Sequence, residues 1–279
     1  MMAMSSELIW SSFIMFWLFY IGAILGSFIH VVVSRTLAGR SWTTGRSKCD
    51  RCHYQLSWYD NIPLLSFIFL GGKCRKCRKP IASMHFWAEV LSGLVMIWWW
   101  LAAGQELTAH LDISSLVKAG VYASFGWVGL VIVLVDLKKM IVPDRATLAI
   151  FVLAGLWLLW RFLTSQIGFD TVVTAIASGL VTLAVFGAIV GLTKGRGMGW
   201  GDLKLAPALA LFVGWPLAFI GLLFAVWSGA LVGVVLLLSG RARRGQPIPF
   251  APFLIFGYDL ALLVGHQAWQ WYWTWALGA

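Results

Sequence analysis

The chain has 279 residues, 60% of them hydrophobic and 11% charged, with a formal net charge of +10 and a mean hydropathy of +0.84. A soluble domain carries roughly a quarter charged residues, so the composition excludes an ordinary soluble protein, and unbroken apolar runs exclude an alternating outer-membrane barrel. The basic excess is not a nucleic-acid signal, because Lys and Arg gather at alternate ends of the apolar runs, as the positive-inside rule requires.

The first apolar run, Leu8 to Val33, follows Glu7 and is too long for a removable signal peptide. It predicts a span ending in a loop that holds ten basic residues between Arg35 and Lys79. A second span starts near His85 and passes Trp98, Trp99 and Trp100 to a short loop with Glu106 and Asp112. A third runs from Lys118 to Val135 and stops at Asp136; a fourth covers Ala146 to Leu163; a fifth, Thr171 to Leu192, delivers Lys194 and Asp202. The 36 residues from Leu205 to Gly240 carry no charge, yet both flanks are basic. Parity then demands two crossings, divided at Gly214-Trp215-Pro216, with a short first arm that begins at Asp202. A last span, Phe250 to Trp269, ends in an aromatic tail. The reading is an all-α integral membrane protein with about eight transmembrane helices, both termini outside, and no internal repeat.

All four cysteines lie in the first basic loop, as Cys49-x2-Cys52 and Cys74-x2-Cys77 with 21 residues between the pairs. Four thiolates on two tight turns complete a tetrahedral zinc shell, and a closed shell folds a loop with little core of its own. The alternative is free or redox-active thiols. Disulfides are disfavoured on the basic, cytoplasmic side.

Ionisable groups at the ends of spans are functional candidates. Asp136 closes the third span and Asp202 opens the sixth, both on the basic side. Two carboxylates at one depth share a proton, so that one activates water while the other polarises a carbonyl. Gly199 and Gly201 beside Asp202 would let a substrate strand approach the backbone. The competing reading is helix capping, which suits Asp144 and Asp202 but not Asp136, since a helix C-terminus disfavours an anion. Asp259, inside the last span, is a rival acid.

At this point the residues resemble a known family, the type IV prepilin peptidases. The resemblance rests on Gly26-Ser-Phe, Val31 to Arg35, Cys49-x2-Cys52, Trp58 to Ser66, Gly71-Gly-Lys-Cys74 and Glu89 to Gly93. Asp136 with Pro143-Asp144, then Gly197 to Leu205 and Pro247 to Phe253, complete it in order. Such kinship implies a membrane aspartic endopeptidase that removes the basic leader of prepilins or pseudopilins after glycine. It also implies N-methylation of the new terminus from S-adenosylmethionine. The catalytic pair would be Asp136 and Asp202, with Gly199, Gly201 and Lys204 as supporting motif. Methylation would be tied to Gly72 and Lys73, although no glycine-rich donor motif is present. His30, Asp50 and Met84-His-Phe86 depart from the family pattern and bear on methylation more than on cleavage.

The implied organisation is a first helix over 1–34, a zinc-type, methylation-associated loop over 35–84 and a protease core over 85–279. The setting is the bacterial inner membrane with the active site facing the cytoplasm, and the partners are prepilins and lipid, not nucleic acid. Two other readings stay open: a peptidase without methylation, and a membrane scaffold or transporter with a structural zinc loop.

Overall fold

The computed structural model describes residues 2–39, 41, 46–49, 51–109, 111–195, 198–241, 243 and 246–278. Asp50, Arg196 and Gly197 lie outside these. Helix α1 spans Met2–Leu37 and is followed by a 3-10 turn over Trp58–Asn61 and a short α2, Leu65–Phe69. Then come α3, Met84–Trp99, continued by a wide turn over Trp100–Gly104 into α4, Gln105–Ala109, and α5, Ile113–Lys139. The remainder is α6, Asp144–Leu163; α7, Phe169–Thr193; α8, Trp200–Val213; α9, Leu217–Leu238; and α10, Ala251–Leu277. There is no β-strand among the described residues.

The long helices follow the expected order; among the described residues six are both long and apolar enough to cross a membrane, and α8 and α10 stand in the places of the other two expected spans. The exceptions have different causes. Helix α8 has 14 residues, about 21 Å, against a hydrocarbon core of about 30 Å. Helix α10 has the length, 27 residues, but Asp259 and the Gly265-His-Gln267 stretch dilute its apolar character. The break between α8 and α9 falls at the expected Gly214, whose φ of 70° suits a residue without Cβ.

The chain forms two compact units, Met1–Ser115 and Leu116–Ala279. In the first, α1 and α3 cross at backbone contact. A Cβ on Gly22 would lie 2.5 Å from the Ser92 carbonyl, one on Gly26 2.8 Å from the Ala88 carbonyl, and one on Gly93 2.9 Å from the Phe19 carbonyl. Small residues at such a crossing let two membrane helices gain dispersion contact where lipid offers no hydrophobic drive. The Gly26-Ser-Phe and Ser92-Gly93 signatures are therefore helix-packing features. Asp112 caps α5 by accepting the Ser115 N–H at 2.8 Å.

In the second unit α8 is the buried centre. Leu205, Ala206, Ala208, Leu209 and Ala210 have no exposed surface, and α6, α7, α9 and α10 pack around it. From α5, Phe125 stacks on Phe212 with centroids 4.1 Å apart. A helix whose middle turns are enclosed by its neighbours need not itself match the bilayer, which accommodates the short α8. Helices α9 and α10 cross at Gly257, where a Cβ would meet the Gly221 carbonyl and the Ala225 nitrogen.

Candidate active site and metal centre

Asp136 lies one turn before the end of α5 and Asp202 in the first turn of α8. Both are buried, with 4% and 9% of their surface exposed, and Asp202 lies within electrostatic reach of Asp136. Each accepts one backbone N–H from the start of a helix. Asp202 folds back onto Gly199, the residue that caps its own helix. Asp136 accepts from Ala251, the first residue of α10. A carboxylate that would be disfavoured at the C-terminus of α5 thus faces the positive N-terminal end of another helix. The Asp136 Oδ2 atom is buried and has no hydrogen-bond partner among the described residues. Two buried acids within reach of each other are the arrangement that general-base and general-acid chemistry on a water and a carbonyl requires.

The surrounding motif behaves differently from expectation at two points. Gly201 approaches the chain's own Val142: a Cβ there would lie 2.8 Å from Val142 Cβ and Cγ2, so this glycine joins α8 to the segment before α6. Gly199 serves Asp202, whose Oδ2 would lie 3.4 Å from an added Cβ. Asp144 is no cap either. No side-chain capping bond forms at the start of α6, and Asp144 instead pairs with Lys204, Nζ to Oδ1 2.9 Å. Both partners are exposed, so the bridge contributes at most about 1 kcal/mol, but it ties the segment after Asp136 to the segment after Asp202. Asp259, the rival acid, is half-buried farther along α10.

In the first unit the four cysteine Sγ atoms lie within 4.8 Å of one another. Cys49–Cys77 and Cys52–Cys74 are 3.9 Å apart, close to the edge of about 3.8 Å that a tetrahedron with metal–sulfur bonds of about 2.3 Å requires. The spacing is too long for disulfides and right for a shared cation. The thiols also differ in acidity. Backbone N–H groups of Cys52 and Arg51 pull Cys49 down to about 7. At Cys52 the Tyr54 N–H pulls down, but burial and the neighbouring thiols prevail and push it up to about 11.

The two knuckles are one motif used twice, which the sequence reading missed. Cys49 N–H donates to the Tyr54 carbonyl, His53 to Cys49 and Leu56 to Ser47; Cys74 donates to Lys79, Arg78 to Cys74 and Ile81 to Gly72. Every pair is offset by the same 25 residues. His53 and Arg78, at equivalent positions, both have positive φ, 55° and 57°. Gly72 (φ 69°) is thus the base of the second knuckle, packed over the Phe67 ring, and Lys73 is the exposed residue before Cys74.

Two further residues gain a place. Glu89 is buried, accepts the Leu64 N–H at 2.8 Å and a hydrogen bond from Ser27, and so pins the loop to both α1 and α3. His30 and His85, both departures from the family pattern, contact each other with ring centroids 4.2 Å apart, and His30 Nε2 lies 3.3 Å from Ser34 Oγ.

Residues 20–103 match the Bacterial Peptidase A24 N-terminal domain, and residues 123–234 match the Type IV leader peptidase family. A Prepilin leader peptidase/N-methyltransferase of Aeromonas hydrophila is 32% identical over 285 residues, covering 92% of each chain. Proteins of the same name from Bacillus subtilis and Burkholderia pseudomallei are 34% and 33% identical; they cover 94% and 88% of this chain and are themselves covered over 98% and 84%. No solved structure matches. With six helices long and apolar enough to cross a membrane among the described residues, buried acids at the end of α5 and the start of α8, a four-cysteine cluster in the loop after the first helix, and relatives matched over nearly the whole length, the chain is a multi-pass membrane protein that belongs to the type IV leader peptidase family.

Proposed function

We propose that this protein processes prepilins or pseudopilins as an aspartic endopeptidase, with Asp136 and Asp202 as its catalytic pair. The carrying observation is the pair itself: two buried carboxylates from different helices, mutually in range, each held by a backbone N–H at a helix N-terminus. The ionised member removes a proton from water as the oxygen attacks the scissile carbonyl, and the protonated member donates to the carbonyl oxygen. Collapse of the tetrahedral adduct returns that proton, and the leaving amine takes the other. The products are a leader carboxylate and a new amino terminus. Cleavage after glycine follows from kinship. So does a cytoplasmic active site in the bacterial inner membrane, which Lys138, Lys139, Arg145, Lys194 and Lys204 around the pair also favour.

The loop over 35–84 is assigned to methylation of that terminus and the helices over 85–279 to cleavage. The four thiolates fit Zn2+, which would be structural: a closed tetrahedral shell leaves no position for substrate. S-adenosylmethionine is the methyl donor that kinship implies. Gly72 and Lys73 lie at the base of the second knuckle, where the space beside Gly72 holds the Phe67 ring. Their association with methylation runs through the shape of the second knuckle. Purified enzyme incubated with a prepilin and S-adenosylmethionine tests the whole reading. Product masses should show loss of the leader and a gain of one methyl group, whereas an unchanged substrate would defeat it and leave the scaffold or transporter reading.

A further inference from the structure

The loop of the first unit carries an apolar face that its own fold leaves uncovered. Trp58 is 79% exposed, Ile68 62% and Phe69 83%, with Leu65 exposed beside them. Leu65, Ile68 and Phe69 stand at i, i+3 and i+4 of α2, hence on one side. Phe67 turns the other way and stacks on Phe86 of α3, centroids 5.1 Å apart. Eight cations of the loop are also exposed: Arg46, Lys48, Arg51, Lys73, Arg75, Lys76, Arg78 and Lys79.

Depth decides what this face meets. The Leu64 N–H, at the start of α2, is bonded to Glu89, and Glu89 to Ser27. Glu89 is five residues into α3, about 7.5 Å along its axis, and Ser27 is ten residues, about 15 Å, before the end of α1. The apolar spans containing them, Trp10–Leu37 and Met84–Ala109, are about 42 and 39 Å long against a hydrocarbon core of about 30 Å. Even if all the surplus length emerges on the loop side, both helices put this junction at about the headgroup–acyl boundary, and any other division puts it deeper. Trp87, two residues ahead of Glu89 and exposed, is the residue type that favours that level.

We propose that the segment Trp58–Leu70 is an interfacial hook, with Ile68 and Phe69 seated among phospholipid acyl chains and the basic knuckles lying against anionic headgroups. The hook fixes both knuckles, and with them Gly72 and Lys73, at the bilayer surface. It does not depend on which reaction the enzyme performs.

The test uses full-length protein in nanodiscs of mixed zwitterionic and anionic phospholipid, with Phe69 replaced by p-benzoylphenylalanine and, separately, Ile68 and Arg78. A large aromatic group at a site this exposed leaves the fold intact, and the second apolar position stands in should one variant fail. After irradiation, mass spectrometry should find phospholipid adducts on the Phe69 and Ile68 peptides several-fold above those on the Arg78 peptide. Adducts to residues 116–278 of the same chain, or lipid adducts no higher than at Arg78, would overturn the proposal.

Discussion

The backbone N–H of Ala251, first residue of α10, donates to the carboxylate of Asp136, more than a hundred residues earlier at the end of α5. The Pro247-Ile-Pro-Phe-Ala-Pro-Phe253 segment is thereby part of the acid site, since its prolines start the helix whose N-terminus faces Asp136.

Replacing Asp136 or Asp202 with Asn should each abolish prepilin cleavage, by about 10²–10⁴-fold or more, with the protein still folded in the membrane. Asn keeps the shape and the hydrogen bond to Ala251 or Gly199 but cannot exchange a proton. A gel-shift assay of leader removal decides the matter. Wild-type processing by either variant would take that residue out of the mechanism.

Gly201→Val should reduce kcat more than it raises KM. The new side chain collides with Val142 and displaces the first turn of α8, which carries Asp202. If the glycine instead served substrate approach, KM would bear the loss. Steady-state kinetics with a synthetic leader peptide separates the two.

Gly26→Leu should destabilise the protein by about 1–3 kcal/mol, because the α1–α3 crossing leaves no room for the added side chain. Thermal unfolding in detergent measures this, and a variant as stable as wild type would mean that the crossing is looser than described.

Elemental analysis should find about one zinc per chain. Cys49→Ser or Cys74→Ser should lose it, and methylation should fall more than cleavage, since Asp136 and Asp202 lie on helices that need no thiolate. Acid should release the metal as protons compete for the sulfurs. Metal-free wild type with both activities intact would refute the zinc assignment.

Glu89→Ala should loosen the loop, because the Leu64 N–H and the Ser27 hydroxyl lose their acceptor in a buried position; the cost is about 1–3 kcal/mol. Glu89→Gln keeps an acceptor and should be milder. Amide exchange over residues 58–81 distinguishes them, and equal protection in both variants would mean that Glu89 does not hold the loop.

The sequence by itself determined the helical membrane class, the order of the long helices, the break at Gly214, the four-cysteine cluster and the two acids. These follow from apolar run length, charge sidedness and short-range spacing, which act locally along the chain. It left open how a short first arm at Asp202 fits the bundle, because length and parity do not show that α8 is enclosed by its neighbours. It assigned Gly201 to the substrate and Asp144 to a cap, because the partners of both lie 59 and 60 residues away in sequence, at Val142 and Lys204. The 25-residue echo of the knuckles was hidden as well, since backbone hydrogen bonds and positive φ angles repeat there while few side chains do. Only tertiary structure decided which helix end meets Asp136, what Glu89 holds, and that the glycine signatures mark helix crossings, because each of these is a contact between segments that no local pattern encodes.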